Sequence, residues 1–204
     1  ADEGLADFMD VFCEKNYFTP EETNLLCKVG KQYGLLPKLH VNQFNAIGGV
    51  QVAVENNAIS VDHLEVMNEK DFQVLKNSKT IATALPSCSL FLGIPYAPAK
   101  QFIEQSIPIA LASDYNPGST PSGNMSFVVA LGCIQMKMTP EQSINACTIN
   151  GAFAMRVNQK VGSIAVGKNA NLIITKPITS YNYIPYSFGE NTIGKVLING
   201  EIYC

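Results

Sequence analysis

With 204 residues, 47% of them apolar and only 15% charged, the chain has the composition of a well-buried globular protein. A net charge of -3, two histidines and no Lys/Arg cluster argue against a nucleic-acid or membrane-surface role, since both need a concentrated basic face. No apolar run reaches membrane-span length, the first residues lack the pattern of a signal peptide, and the six cysteines show no C-x-x-C pair. The expectation is a cytoplasmic protein with reduced thiols and small-molecule partners, with no nucleic acid and no membrane.

Phe8 to Cys13 is a short apolar strand ending at Glu14, and Thr19-Pro20-Glu21-Glu22 opens a helix. Thr19 caps it, Pro20 suits the first helical position and Glu22 closes a capping box; Leu25, Leu26 and Val29 are the expected inner stripe, and Gly34 the end. Leu35 to Leu39 is the next strand, ending at His40. Gly48 to Asn57 carries a weaker helical pattern, Ala58 to Val61 is a strand ending at Asp62-His63, and a capped helix follows from Asn68. Thr80 to Leu85 is a fourth strand, Ala97 to Gln105 a helix, and Ile107 to Ala112 a fifth strand ending at Asp114. Helical spacing then runs from Met125 to Met136, and from a second capping box at Thr139-Pro140-Glu141-Gln142 to Met155. Val161 to Ile174 and Gly194 to Tyr203 read as short strands with Gly turns, and Lys176 to Asn191, rich in Tyr, Pro and Gly, as loop.

Strands alternate with helices at intervals of roughly 25 residues, the βαβ rhythm of a parallel sheet, close to the roughly 30 residues per unit of an eight-unit barrel. The fold class expected is therefore α/β: a partial (β/α)8 TIM-type barrel over residues 1–158, followed by a C-terminal β segment over 159–204. Glu14, His40, His63 and Asp114 each fall at the carboxyl end of a different strand, and in a barrel those ends share the face that carries the active site. Asp114 opens the turn Ser113-Asp114-Tyr115-Asn116-Pro117-Gly118-Ser119, which can be a ligand-approaching loop or a simple Asx-turn capping the next element. The chain lacks an initiator Met and turns strand-like within its first dozen residues, so it is expected to be part of something longer.

Lys38-Leu39-His40, Ser60-Val61-Asp62-His63-Leu64, the stretch from Ser113 to Met125 and the tail Gly162-x-Ile164-x-x-Gly167-Lys168-x-Ala170-x-Leu172 together resemble the amidohydrolase superfamily. Within it, S-D-Y-N-P-G-S followed by G-N-M is similar to the C-terminal half of the imidazolonepropionase family. The resemblance implies hydrolysis of the ring amide of 4-imidazolone-5-propanoate to N-formimidoyl-L-glutamate in histidine degradation, with one Zn2+ or Fe3+ ion per site. It makes His40 and Asp114 metal ligands, Asp114 also the catalytic proton carrier, and His63 a catalytic group outside the metal's own ligands that steadies the oxyanion. Gln43, Asn116, Gly118 and Ser119 are the implied substrate contacts. Gln43 departs from the family's usual Glu and keeps a hydrogen-bonding role without the negative charge. Glu14 receives no role.

The family's His-x-His pair, from its first barrel strand, is not in this sequence. The implied piece is therefore the fourth to eighth strands, inactive alone, whose partners are the substrate, the missing N-terminal half and a second copy in a homodimer. Two other readings stand beside this one: another amidohydrolase, a cyclic amidase or deaminase, and a non-catalytic barrel-derived fragment.

Overall fold

The computed structural model describes residues 3–203, and its main element is a parallel sheet whose five strands stand in sequence order. These are β1 (Phe8–Cys13), β2 (Leu36–Val41), β3 (Ser60–His63), β4 (Ile81–Ala84) and β5 (Ile109–Leu111). Parallel neighbours require long crossovers, here α1 (Pro20–Gln32), α2 (Gly49–Glu55), α3 (Glu69–Lys76), and the pair α4 (Pro86–Leu92) and α5 (Ala99–Glu104). After β5 come α6 (Met125–Ile134), α7 (Pro140–Asn145) and α8 (Gly151–Ala154), the last two joined through a π-helical turn at Ala146–Asn150. A second, antiparallel sheet holds β6 (Leu172–Thr175), β7 (Ile193–Ile198) and β8 (Glu201–Ile202).

The register explains how this sequence sorts its two sheet faces. Val11, Leu39, Val61, Ala82 and Ile109 are successive partners across the sheet, and each is at most 5% exposed. This row joins one buried cluster with Cys27, Val50, Phe72, Leu75 and Phe102 of the helices; burying each of the larger side chains contributes about 1.5–3 kcal/mol. The alternate row, Phe12, His40, Asp62, Thr83 and Ala110, points the other way, as side chains one residue apart must. One step toward the amino ends lie Asp10, Lys38, Ser60 and Ile81. The face away from the helices is therefore largely polar, and its polar groups pair: the Lys38 ammonium donates to Ser60 Oγ and to the Ala154 carbonyl, and Ser60 Oγ donates to Asp62 Oδ1.

Helix starts follow their signals. Thr19 and Thr139 form complete capping boxes with Glu22 and Gln142, each with Pro at the first position, and Asn68 does the same with Asp71. The inner stripe of α1 differs from the expected one: Thr23, Cys27 and Gly30 are buried, whereas Leu25 and Val29 are exposed. Small residues face the sheet because α1 lies close to β1; a Cβ on Gly30 would stand 2.7 Å from Met9 Cγ. Helix α4 and the short α9 (Tyr183–Tyr186) were not expected. Of the span Val161 to Ile174, only the part from Leu172 onward is strand; the Gly-punctuated residues before it are turns.

Gly132 sets the approach of α6 to its neighbours. A Cβ there would collide with Ser143 Oγ and stand 2.8 Å from Leu111 Cδ1. Gly132→Ala is expected to destabilise the fold by about 1–3 kcal/mol through overpacking, outweighing the gain of about 1 kcal/mol that Ala brings to a helix interior. A lower urea midpoint is the expected readout, and an unchanged or raised one would contradict the packing.

Candidate active site

Beyond the carboxyl ends of β1, β2, β3 and β5 lies a cleft of about 270 Å³ lined by Asp10, Phe12, His40, Gln43, His63, Asp114, Asn116 and Ser119. His40 is the penultimate residue of β2 and faces the cleft by strand parity. His63 ends β3 with the opposite parity and reaches the same cleft through a left-handed backbone (φ 88), followed by Leu64 at φ 69. Asp114 follows β5 by three residues, again left-handed at φ 56. For residues other than Gly such backbone is costly, about 1–2 kcal/mol each, and it persists where surrounding structure demands it.

One ligand atom from each of His40, His63 and Asp114 lies within 4.8 Å of the others. In a tetrahedral zinc site two donors at about 2.0–2.2 Å each stand about 3.3–3.6 Å apart, so the group closes by up to about 1.4 Å to hold an ion. Two imidazoles and a carboxylate form a donor set that suits zinc or iron. The ring centroids of the two histidines are 5.3 Å apart, and Phe12 buttresses both at 6.4 Å.

The loop after β5 is organised by Asn116. Its Nδ2 donates to the Asp114 carbonyl (2.7 Å) and to Ser119 Oγ (2.9 Å), while its Oδ1 accepts from the backbone N–H groups of Gly118 and Ser119. Ser119 Oγ donates in turn to Asp114 Oδ2 at 3.2 Å. Asn116 and Ser119 thus line the cleft while fixing the carboxylate, whereas Gly118 is exposed and does not line it. Gln43 lines the cleft, its Nε2 resting 3.6 Å from Cys88 Sγ. Burial pushes the Cys88 thiol up to about 11, the charges of Asp114 and Glu65 adding to it and a hydrogen bond with Ser119 opposing, so it is no thiolate nucleophile near neutral pH.

Three groups around the cleft receive no role in the sequence analysis: Asp10, Phe12 and Glu65. Asp10 and Phe12 line it from β1, and alternation opposite Val11 was their available signal. Asp10 Oδ1 lies 2.9 Å from His40 Nδ1. Burial works against charge on His40, but its hydrogen bond to Asp10 and the charges of Asp10, Asp62 and Asp114 prevail and raise its pKa. Glu65 is buried behind His63: its Oε1 accepts from Ser89 Oγ (3.0 Å) and lies 3.4 Å from His63 Nδ1, while Oε2 is buried with no partner among the described residues.

Glu14 acquires a structural role. Its buried carboxylate accepts from the backbone N–H of Lys15, Phe44 and Asn45 and from Asn45 Nδ2, at 2.8–3.1 Å, pinning the loop that carries Gln43. Glu14→Ala is expected to cost about 2–4 kcal/mol, since it strands several donors of charge-assisted bonds, and calorimetry should show the loss. A melting temperature within a degree of the parent's would refute that role. A larger groove of about 870 Å³ opens by the amino ends of β3 and β4, but Lys76, Lys79 and Arg156 are its charged groups and no His, Cys or carboxylate lines it.

A family profile described as the amidohydrolase family matches residues 18–203. The chain belongs to the amidohydrolase family. It is 59% identical over 202 residues to an imidazolonepropionase of Christiangramia forsetii, covering 99% of this chain and 49% of that protein. It is 62% identical over 198 residues to one of Flavobacterium johnsoniae, covering 97% and 48%. Its fold matches a zinc-bound adenosine deaminase of Xanthomonas campestris with a TM-score of 0.80 at 16% identity, over 96% of this chain and 51% of that one. The chain thus spans about half the length of the curated relatives it matches. As an amidohydrolase chain it carries the cleft with the His40, His63 and Asp114 cluster, and among its described residues no helix is long and apolar enough to cross a membrane.

Proposed function

We propose that this chain supplies the carboxyl-terminal half of a metal-dependent hydrolase that opens the cyclic amide of 4-imidazolone-5-propanoate, giving N-formimidoyl-L-glutamate in histidine degradation. The observation that carries the reading is the convergence of His40, His63 and Asp114 within 4.8 Å, in a chain 59–62% identical to imidazolonepropionases. In this reading β1 to β5 are the fourth to eighth strands of a (β/α)8 barrel, with β6 to β8 in a smaller C-terminal domain.

His40 and Asp114 are the residues that would hold a zinc or iron ion. Bound there, the ion would supply polarisation of the ring carbonyl and lower the pKa of a water molecule toward neutrality. Asp114, steadied by Ser119, would accept the proton of the attacking water and deliver it to the ring nitrogen as the C–N bond breaks, which keeps the proton count balanced. His63 adds a lone pair or a proton at the same point, according to which ring nitrogen bears hydrogen. Gln43 offers amide hydrogen bonds to the substrate from the cleft wall, and Phe12 packs beside the two imidazoles.

The test is substrate choice by the chain assembled with the amino-terminal half found in its relatives. Metal-dependent turnover of 4-imidazolone-5-propanoate with no action on adenosine, guanine or dihydropyrimidines is the expected result. Preference for any of those substrates, or an inert but folded and metal-loaded assembly, would replace the reading by a different amidohydrolase or a non-catalytic one.

A further inference from the structure

The two candidate histidines share a feature that their metal-facing role does not by itself require: each has a carboxylate against Nδ1. For His40 it is Asp10, the half-exposed residue two places before Phe12 on β1, at 2.9 Å. For His63 it is Glu65, wholly buried, at 3.4 Å. The two carboxylates come from different elements and different surroundings. The exposed pair contributes little to stability, because water screens it and ordering both side chains costs entropy. Its consequence is orientational.

An ionised carboxylate only accepts hydrogen bonds, so the imidazole nitrogen facing it is the one that carries hydrogen. Glu65 Oε1 already accepts from Ser89 Oγ, which ties it to α4 and fixes its position behind His63. Its second oxygen has no hydrogen-bond partner among the described residues, so the bonds that place this carboxylate are those of Oε1, with Ser89 and with His63. We propose that Asp10 and Glu65 are positioning residues, each holding the Nδ1–H of one histidine so that both rings present the lone pair of Nε2 to the cleft. The inference rests on the proposed metal-dependent reading and sharpens it: a neutral His63 held this way is a ligand or proton acceptor at Nε2, and cannot donate to an oxyanion from that atom.

The chain has just two histidines, so 15N labelling of histidine alone gives two ring systems to read. At a pH where both rings are neutral, pyrrole-type Nδ1 and pyridine-type Nε2 are expected for both. Glu65→Ala should move His63 toward the other tautomer and leave His40 unchanged, and Asp10→Ala should do the reverse. Glu65→Gln keeps an acceptor oxygen and should restore the parental His63 pattern. In the chain assembled with the amino-terminal half found in its relatives, zinc affinity by chelator competition should fall about 10- to 100-fold in each Ala variant and less in Glu65→Gln. Pyridine-type Nδ1 on either ring of the parent overturns the proposal, a result that needs no variant to fold; so does an unchanged His63 pattern in Glu65→Ala. If both tautomers are as expected and the assembled enzyme still fails to hydrolyse its substrate, the functional reading fails and the positioning roles stand.

Discussion

Asp114→Asn is expected to lower turnover of 4-imidazolone-5-propanoate by the assembled enzyme by about 10²- to 10⁴-fold from lost proton transfer alone, with weakened metal binding adding to the loss. The substitution is close to isosteric. Asn can still accept the hydrogen bond that Ser119 Oγ gives to Asp114 at 3.2 Å, and Asn tolerates the φ of 56 at this position at least as well as Asp does. The fold and the Asn116-centred loop should therefore survive, so that the deficit reports charge and proton transfer. Gln43→Glu serves as the contrast: it exchanges an amide for a carboxylate at the cleft wall and should leave substantial activity. Steady-state rates on proteins matched by circular dichroism make the comparison, and near-parental turnover by Asp114→Asn would end the mechanism proposed for it.

The second large effect concerns the chain by itself, which is expected to show no measurable hydrolysis and to hold zinc weakly. Catalytic zinc sites normally combine three protein ligands with an open position, and the residues proposed to hold the ion here are two, His40 and Asp114. The main sheet also ends in β1 on one side and β5 on the other, each with a single neighbour among the described residues. Such edges recruit other strands, and a closed barrel has none. Leu25 and Val29 on α1, the helix beside the β1 edge, and Tyr33 at its carboxyl-terminal cap lie exposed and add an apolar strip that another unit would cover. Self-association in sedimentation is therefore expected. Adding the amino-terminal half found in the relatives should suppress it while restoring metal and activity together. Robust metal-dependent turnover by the monomeric 204-residue chain would show that the site needs nothing more.

The sheet was legible in the sequence because its helix-facing row is so uniformly apolar: Val11, Leu39, Val61, Ala82 and Ile109 sit in runs that turns bound clearly. The His40, His63 and Asp114 cluster was legible because strand ends converge whatever the loops do. What escaped were contacts set by the third dimension. Nothing in the linear order tells that α1 turns its small residues, rather than Leu25 and Val29, toward β1. That depends on how closely Gly30 lets the helix approach Met9. Asp10 was lost inside an apolar strand, although its alternation opposite Val11 placed it on the cleft side. Glu14 stood among the strand-end residues without a role and Glu65 carried no signal; their burial and hydrogen bonds show that Glu65 backs a histidine and Glu14 ties down a loop. In the stretch Val161 to Ile174, apolar alternation competed with glycines, and the glycines won until Leu172.

The left-handed backbone at His63, Leu64 and Asp114 has an evolutionary corollary. A residue type chosen for conformational ease at 63 or 114 would be Gly or Asn, neither of which supplies an imidazole or a carboxylate. Selection for a durable protein and selection for chemistry thus pull in opposite directions at two of the three converging side chains. A laboratory screen that rewards soluble expression alone would drift toward sturdier chains in which the reactive centre has been quietly erased, and only a screen coupled to turnover would keep it.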